Sequence, residues 1–145
     1  NVAVASATEE ISNPKAEIEG YLAQKMVTGI EFLVGAREDK LYGPILVVGA
    51  GGVLVEIVKD FNVRLLPVTQ EDVSAMISEL RCAPILKNFR GRGPSDIQAL
   101  IKGIKALGDF YLEHRTWLTD IEINPLMVKP DSEGVCAVDI RAITR

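Results

Sequence analysis

The chain has 145 residues, 48% hydrophobic and 25% charged, with a formal net charge of −4 and a pI near 5.1. That length provides one domain with a real core, or one lobe of a larger domain. The acidic balance gives no electrostatic reason to expect nucleic acid or an anionic membrane as partner, and the longest apolar stretch, ILVVGAGGVLV, is too short to span a bilayer.

The start, NVAVASATEEISNPK, has no basic flank and turns acidic early, so no signal peptide is expected there. It also lacks an initiator Met, which predicts a processed chain or a piece of something longer. Residues 21–27 (YLAQKMV) and 30–37 (IEFLVGAR) predict two strands of a hairpin about Thr28-Gly29. Residues 43–52 (GPILVVGAGG) predict a buried strand ending in glycines. Residues 53–58 (VLVEIV) and 63–68 (VRLLPV) read as two further strands, with helix open as an alternative for the first. The GAGG run is not GxGxxG; it stands equally for a turn or for a phosphate contact.

Two helices follow. In TQEDVSAMISELR, Thr69 and Asp72 have capping-box spacing, and Val73, Met76, Ile77 and Leu80 form one apolar stripe. In PSDIQALIKGIKALGDFYLEH, Ser95 and Gln98 suggest a second capping box, and Ile97, Leu100, Ile101, Ile104, Leu107 and Tyr111 line one face. Between them, Arg90 and Arg92 precede a helix N-terminus, where they suit an anion or a solvated basic loop equally. His114, the only histidine, reads as structural at a helix C-terminus. Cys82 and Cys136 belong to no CxxC or Cys/His cluster, which predicts reduced thiols in a cytoplasmic protein and no zinc. This order of elements predicts an α+β lobe, a mixed and largely antiparallel sheet with helices packed on it.

The chain closes with DIEINPLMVKPDSEGVCAVDIRA. A turn at Pro130-Asp131-Ser132-Glu133 makes Lys129 face Gly134, Asn124 face Asp139, and Glu122 face Arg141. Facing Cβ atoms in an antiparallel pair lie roughly 4.5–5.5 Å apart. An Asn carbonyl and an Asp carboxylate at that separation can hold one hard cation such as Mg²⁺, which keeps waters and substrate phosphates as its other ligands. The same pattern also reads as a surface ion pair beside a proline-bent strand, with Pro125 as a site for a bulge.

DIEINPLMV with GVCAVDIRA resembles the end of the ATP-grasp domain in NDP-forming acyl-CoA synthetases, the ADP-forming acetate–CoA ligases and, more distantly, the succinyl-CoA synthetase beta subunit. The central stretch from Gly20 to Leu80 and FRGRGPSDIQAL extend the likeness to nearly the whole chain, with Pro94 shifted next to Gly93. The resemblance implies Mg²⁺ on Asn124 and Asp139, with Glu122 and Arg141 beside them. It implies that Gln24, Lys25, Met26 and Val27 read the adenine of ATP or ADP, through the Lys25 carbonyl and the Val27 N–H, and that Glu31 accepts from the ribose hydroxyls. Relatives commonly have Glu where Lys25 stands, so a role for that side chain does not carry over. Glu56 and Arg92 fall near the implied phosphate path. The reaction implied joins acyl-CoA, ADP and phosphate to acid, CoA and ATP through a phosphohistidine located elsewhere. The expected partners are the N-terminal ATP-grasp lobe and the CoA-binding domain, with the isolated chain inactive. The alternative is a regulatory synthetase-like module of a protein lysine acetyltransferase.

Overall fold

The computed structural model describes residues 23–52, 59–88, 91 and 93–145. Among them, one six-stranded sheet is built from β1 (Ile30–Asp39), β2 (Gly43–Ala50), β3 (Phe61–Leu65), β4 (Leu118–Val128), β5 (Val135–Ala137) and β6 (Ile140–Thr144). The order is β3-β2-β1-β4-β5, with β6 also on β4, and the paired strands are antiparallel. Two helices, α1 (Gln70–Ser78) and α2 (Ile97–His114), complete the expected α+β architecture.

Both helices lie on one side of the sheet. Side chains alternate along a strand, so Phe32, Val34 and Ala36 of β1 face the helices, opposite Ala50, Val48 and Leu46 of β2. They join Val73, Met76 and Ile77 of α1 and Leu100, Ile104 and Tyr111 of α2 in one core. Thr69 caps α1 as the spacing predicts, and the box closes with Asp72. The cap of α2 is Asp96, not Ser95 with Gln98. One Asp96 oxygen accepts the Ala99 N–H at 2.9 Å and the other accepts the Gly134 N–H at 3.0 Å. Ser95 is buried and bridges to Pro130.

The first hairpin is not formed. Residues 23–28 carry no strand, and β1 starts at Ile30. The reason is that β1 pairs with β2 on one side and β4 on the other, which leaves no edge for residues 23–27. The chain instead passes close by the end of β4. A Cβ at Gly29 would sit 2.6 Å from the Val128 carbonyl oxygen.

The strand expected at 63–68 is shifted to Phe61–Leu65: the Leu66 N–H makes the last bond to β2, on the Pro44 carbonyl, and Pro67 has no N–H to continue the ladder. The reading of 53–58 lies outside the described residues. At the entrance to β3, Asp60 accepts the N–H groups of Arg81 at 2.9 Å and Cys82 at 2.8 Å. Burial pushes its carboxyl up, but those bonds outweigh burial and leave it below the usual range. Burial and the Asp60 carboxylate together push the Cys82 thiol up to about 12. Cys82 and Cys136 are both free, and no helix among the described residues is long and apolar enough to cross a membrane.

Candidate functional site

The face of the sheet away from the helices is open. Gly35 of β1 and Gly49 of β2 present no side chain there, and a furrow of about 220 Å³ crosses it between Leu33, Val47, Phe61 and Glu122. The polar residues singled out in the sequence collect around this face.

The closing strands keep the register that the turn dictates. Val128 pairs with Val135, Leu126 with Ala137 and Glu122 with Arg141, and the Asn124 N–H donates to the Asp139 carbonyl at 3.1 Å. Asn124 and Asp139 are therefore backbone neighbours across the ribbon, in the gap between β5 and β6, the first half-buried and the second exposed. Arg141 reaches Asp120 at 3.2 Å and Glu122 at 3.6 Å, an exposed network that holds the same ribbon further along.

Pro125 does introduce an irregularity, but toward β1. Phe32 pairs with Leu126 and Val34 with Ile123, so Asn124 and Pro125 together stand opposite Leu33. The extra residue exchanges the two faces. Counting by twos from Asn124 puts Leu126 on the open side, yet Leu126 belongs to the core. Met127 takes the other side, opposite Glu31. It is buried but lies outside the core cluster, on the wall of a cleft of about 510 Å³ that Val27, Glu31 and Ser95 also line. The sequence reading missed Met127; the signal available was Pro125.

Glu31 lies on the open face of β1, exposed. Its carboxylate packs against Gly52 so closely that a Cβ at Gly52 would collide with it. The Gly52 N–H in turn donates to the Asn124 Oδ1 at 3.0 Å. Three consecutive N–H groups of this loop are thus spent inside the molecule: Ala50 on the Asp60 carbonyl, Gly51 on the Glu31 carbonyl, both at 2.9 Å, and Gly52 on Asn124. The glycine run fastens strands together, and these donors are not free for a phosphate.

Gln24, Lys25 and Met26 are exposed in the segment leading into β1, and Val27 is half-buried beside the cleft. They are brought to the same end of the sheet as Glu31, in a segment that carries no strand. Glu56, Arg90 and Arg92 lie outside the described residues. His114 packs between Phe110 and Trp117, with ring centroids 4.3 and 5.5 Å away.

The donors present suit a hard cation. Among the described residues Asn124 Oδ1 accepts from Gly52 alone, which leaves a second lone pair, and Asp139 is the carboxylate residue next to it across the ribbon. Among the described residues no group of three His, Cys, Asp or Glu side chains forms a metal cage. A two-oxygen site is one that Mg²⁺ fills out with water and phosphate.

The ATP-grasp domain family matches residues 2–143. The beta subunit of the ADP-forming acetate–CoA ligase II of Pyrococcus furiosus is 35% identical over 133 residues, which cover 91% of this chain and 56% of that subunit. The ADP-forming acetate–CoA ligase I of Archaeoglobus fulgidus is 38% identical over 131 residues, 90% of this chain and 19% of that enzyme. This chain thus spans about half or less of the length of these relatives. The acetyl-coenzyme A synthetase 1 of Ca. Korarchaeum cryptofilum superposes with a TM-score of 0.77 at 32% identity, covering 83% of this chain and 55% of that one. That structure holds coenzyme A and Mg-AMPPCP, with its phosphohistidine segment pointing towards the nucleotide binding site. With a family match over almost its entire length, this chain belongs to the ATP-grasp domain family.

Proposed function

We propose that this chain is one lobe of an ADP-forming acid–CoA ligase and forms one wall of its nucleotide and metal site. The observation that carries the reading is the backbone adjacency of Asn124 and Asp139 across the closing ribbon, at the end of the sheet that also holds Glu31. The relatives support it, being ligases of this kind, and lend no support to a regulatory module of an acetyltransferase.

In this reading the Lys25 carbonyl and the Val27 N–H orient the adenine, and Met127 closes the cleft beneath it. Glu31 accepts from the ribose hydroxyls. Asn124 and Asp139 hold Mg²⁺, which when bound neutralises charge on the phosphates. Asn124 is held by Gly52, so its amide does not reorganise as charge develops, which is how preorganised groups lower a barrier. The phosphoryl group travels between the nucleotide and a histidine carried elsewhere in a cytoplasmic synthetase. The N-terminal ATP-grasp lobe and the CoA-binding domain complete the enzyme, and Mg²⁺ with ATP or ADP are its cofactor and nucleotide.

Asp139→Ala in the full-length synthetase tests this. Phosphoryl transfer to ADP should fall by roughly 10²-fold or more, with the circular dichroism spectrum unchanged. Undiminished turnover removes Asp139 from the mechanism.

A further inference from the structure

Gly52 touches both ends of the proposed site. Its N–H donates to Asn124 Oδ1 at 3.0 Å, across 72 positions of sequence. Its α-carbon stands where any Cβ would collide with the Glu31 carboxylate. Its φ of +65° lies in the left-handed region that L side chains adopt at a cost. Next to it, a Cβ on Gly51 would come within 2.6 Å of the Phe32 carbonyl carbon, so the loop can approach β1 this closely only with glycine at position 51.

From these contacts we propose that Gly52 is a positioning residue that holds the metal-facing amide of Asn124 beside the Glu31 carboxylate. The inference rests on the nucleotide–metal reading above and extends it to a residue that touches neither ligand. Which way an Asn amide points is set by its hydrogen-bond partners. The Gly52 N–H selects oxygen over nitrogen at that position, because only the oxygen accepts. The remaining Oδ1 lone pair is then left for the cation. Removing the partner that orients a metal ligand commonly costs about 10–100-fold in metal affinity.

The test uses the full chain labelled with ¹⁵N, Mn²⁺ as the paramagnetic probe and ADP as nucleotide. In the native protein, Mn²⁺ with ADP should broaden the Asn124 side-chain amide signals, and the Gly52 amide should be protected from exchange before any ligand is added. In Gly52→Ala, Mn²⁺ should bind about tenfold or more weakly in the presence of ADP, with the core amide shifts of β1 and α2 retained. The double variant Glu31→Ala/Gly52→Ala removes the carboxylate that the new methyl meets. It should recover Gly52-type protection at residue 52 and most of the Mn²⁺ affinity of Glu31→Ala alone. A folded Gly52→Ala with native Mn²⁺ affinity overturns the proposal. So does a double variant that falls short of Glu31→Ala by as much as Gly52→Ala falls short of the native chain, and the comparison of the double variant with Glu31→Ala decides the matter if the Gly52→Ala variant does not fold. Failure of the native chain to show Mn²⁺ at Asn124 overturns the nucleotide–metal reading itself and this inference with it.

Discussion

On the helix-covered face of the sheet, Phe32, Val34, Leu46 and Val48 are at most 1% exposed. On the open face the same two strands carry Glu31, Gly35, Arg37 and Gly49, and β4 adds Asp120, Glu122 and Asn124. Hydrophobic burial fixes the first face, since each large apolar side chain removed from water stabilises the fold by about 1.5–3 kcal/mol. The second buries fewer apolar side chains, Ile45 and Met127 among them. Its glycines and carboxylates add little to the core, and its Glu31–Gly52–Asn124 contact binds a loop to two strands. One face makes the sheet stable; the other makes it specific.

Substitutions should separate the two faces. Phe32→Ala, on the covered side, should destabilise the protein by about 3–5 kcal/mol in urea unfolding. Asp139→Ala, on the open side, should leave the unfolding midpoint within about 0.5 kcal/mol of the native value while removing metal-dependent nucleotide binding. An equal loss of stability from both would erase the distinction. Asp60 should fall between them. Asp60→Ala strands the N–H groups of Arg81 and Cys82 and should cost about 1–3 kcal/mol. Its pH dependence has a definite sign. A carboxyl lowered by folding stabilises above its unfolded pKa of about 3.9, and that stability is lost as pH falls through the lower folded value. The native protein should therefore lose more stability than Asp60→Ala below about pH 4. The smallest effect is expected at Arg141. Its partners Asp120 and Glu122 share an exposed side chain, and Arg141→Ala should cost no more than about 1 kcal/mol.

The same contrast governs what the sequence could disclose. The apolar stripes of α1 and α2 are local and periodic, so the covered face was readable. The closing ribbon was readable too, because a four-residue turn sets the register from Lys129–Gly134 back to Glu122–Arg141. The expected first hairpin failed because both edges of β1 are claimed by strands distant in sequence, and no local pattern announces a long-range partner. Ser95 and Asp96 both suit a helix cap; the Gly134 N–H, far along the chain, favours Asp96. Met127 escaped notice because the residue inserted at Asn124–Pro125 reverses the side on which β4 presents its side chains. The tie from Gly52 to Asn124 was beyond reach, since it joins a glycine loop to a strand 72 positions away.

Crystals grown with ADP and Mn²⁺, measured at a wavelength where manganese scatters anomalously, bear most directly on the open face. The account predicts one anomalous peak between Asn124 Oδ1 and the Asp139 carboxylate, with phosphate oxygens completing its shell. A nucleotide bound with manganese elsewhere, and neither side chain within ligand distance, would contradict it.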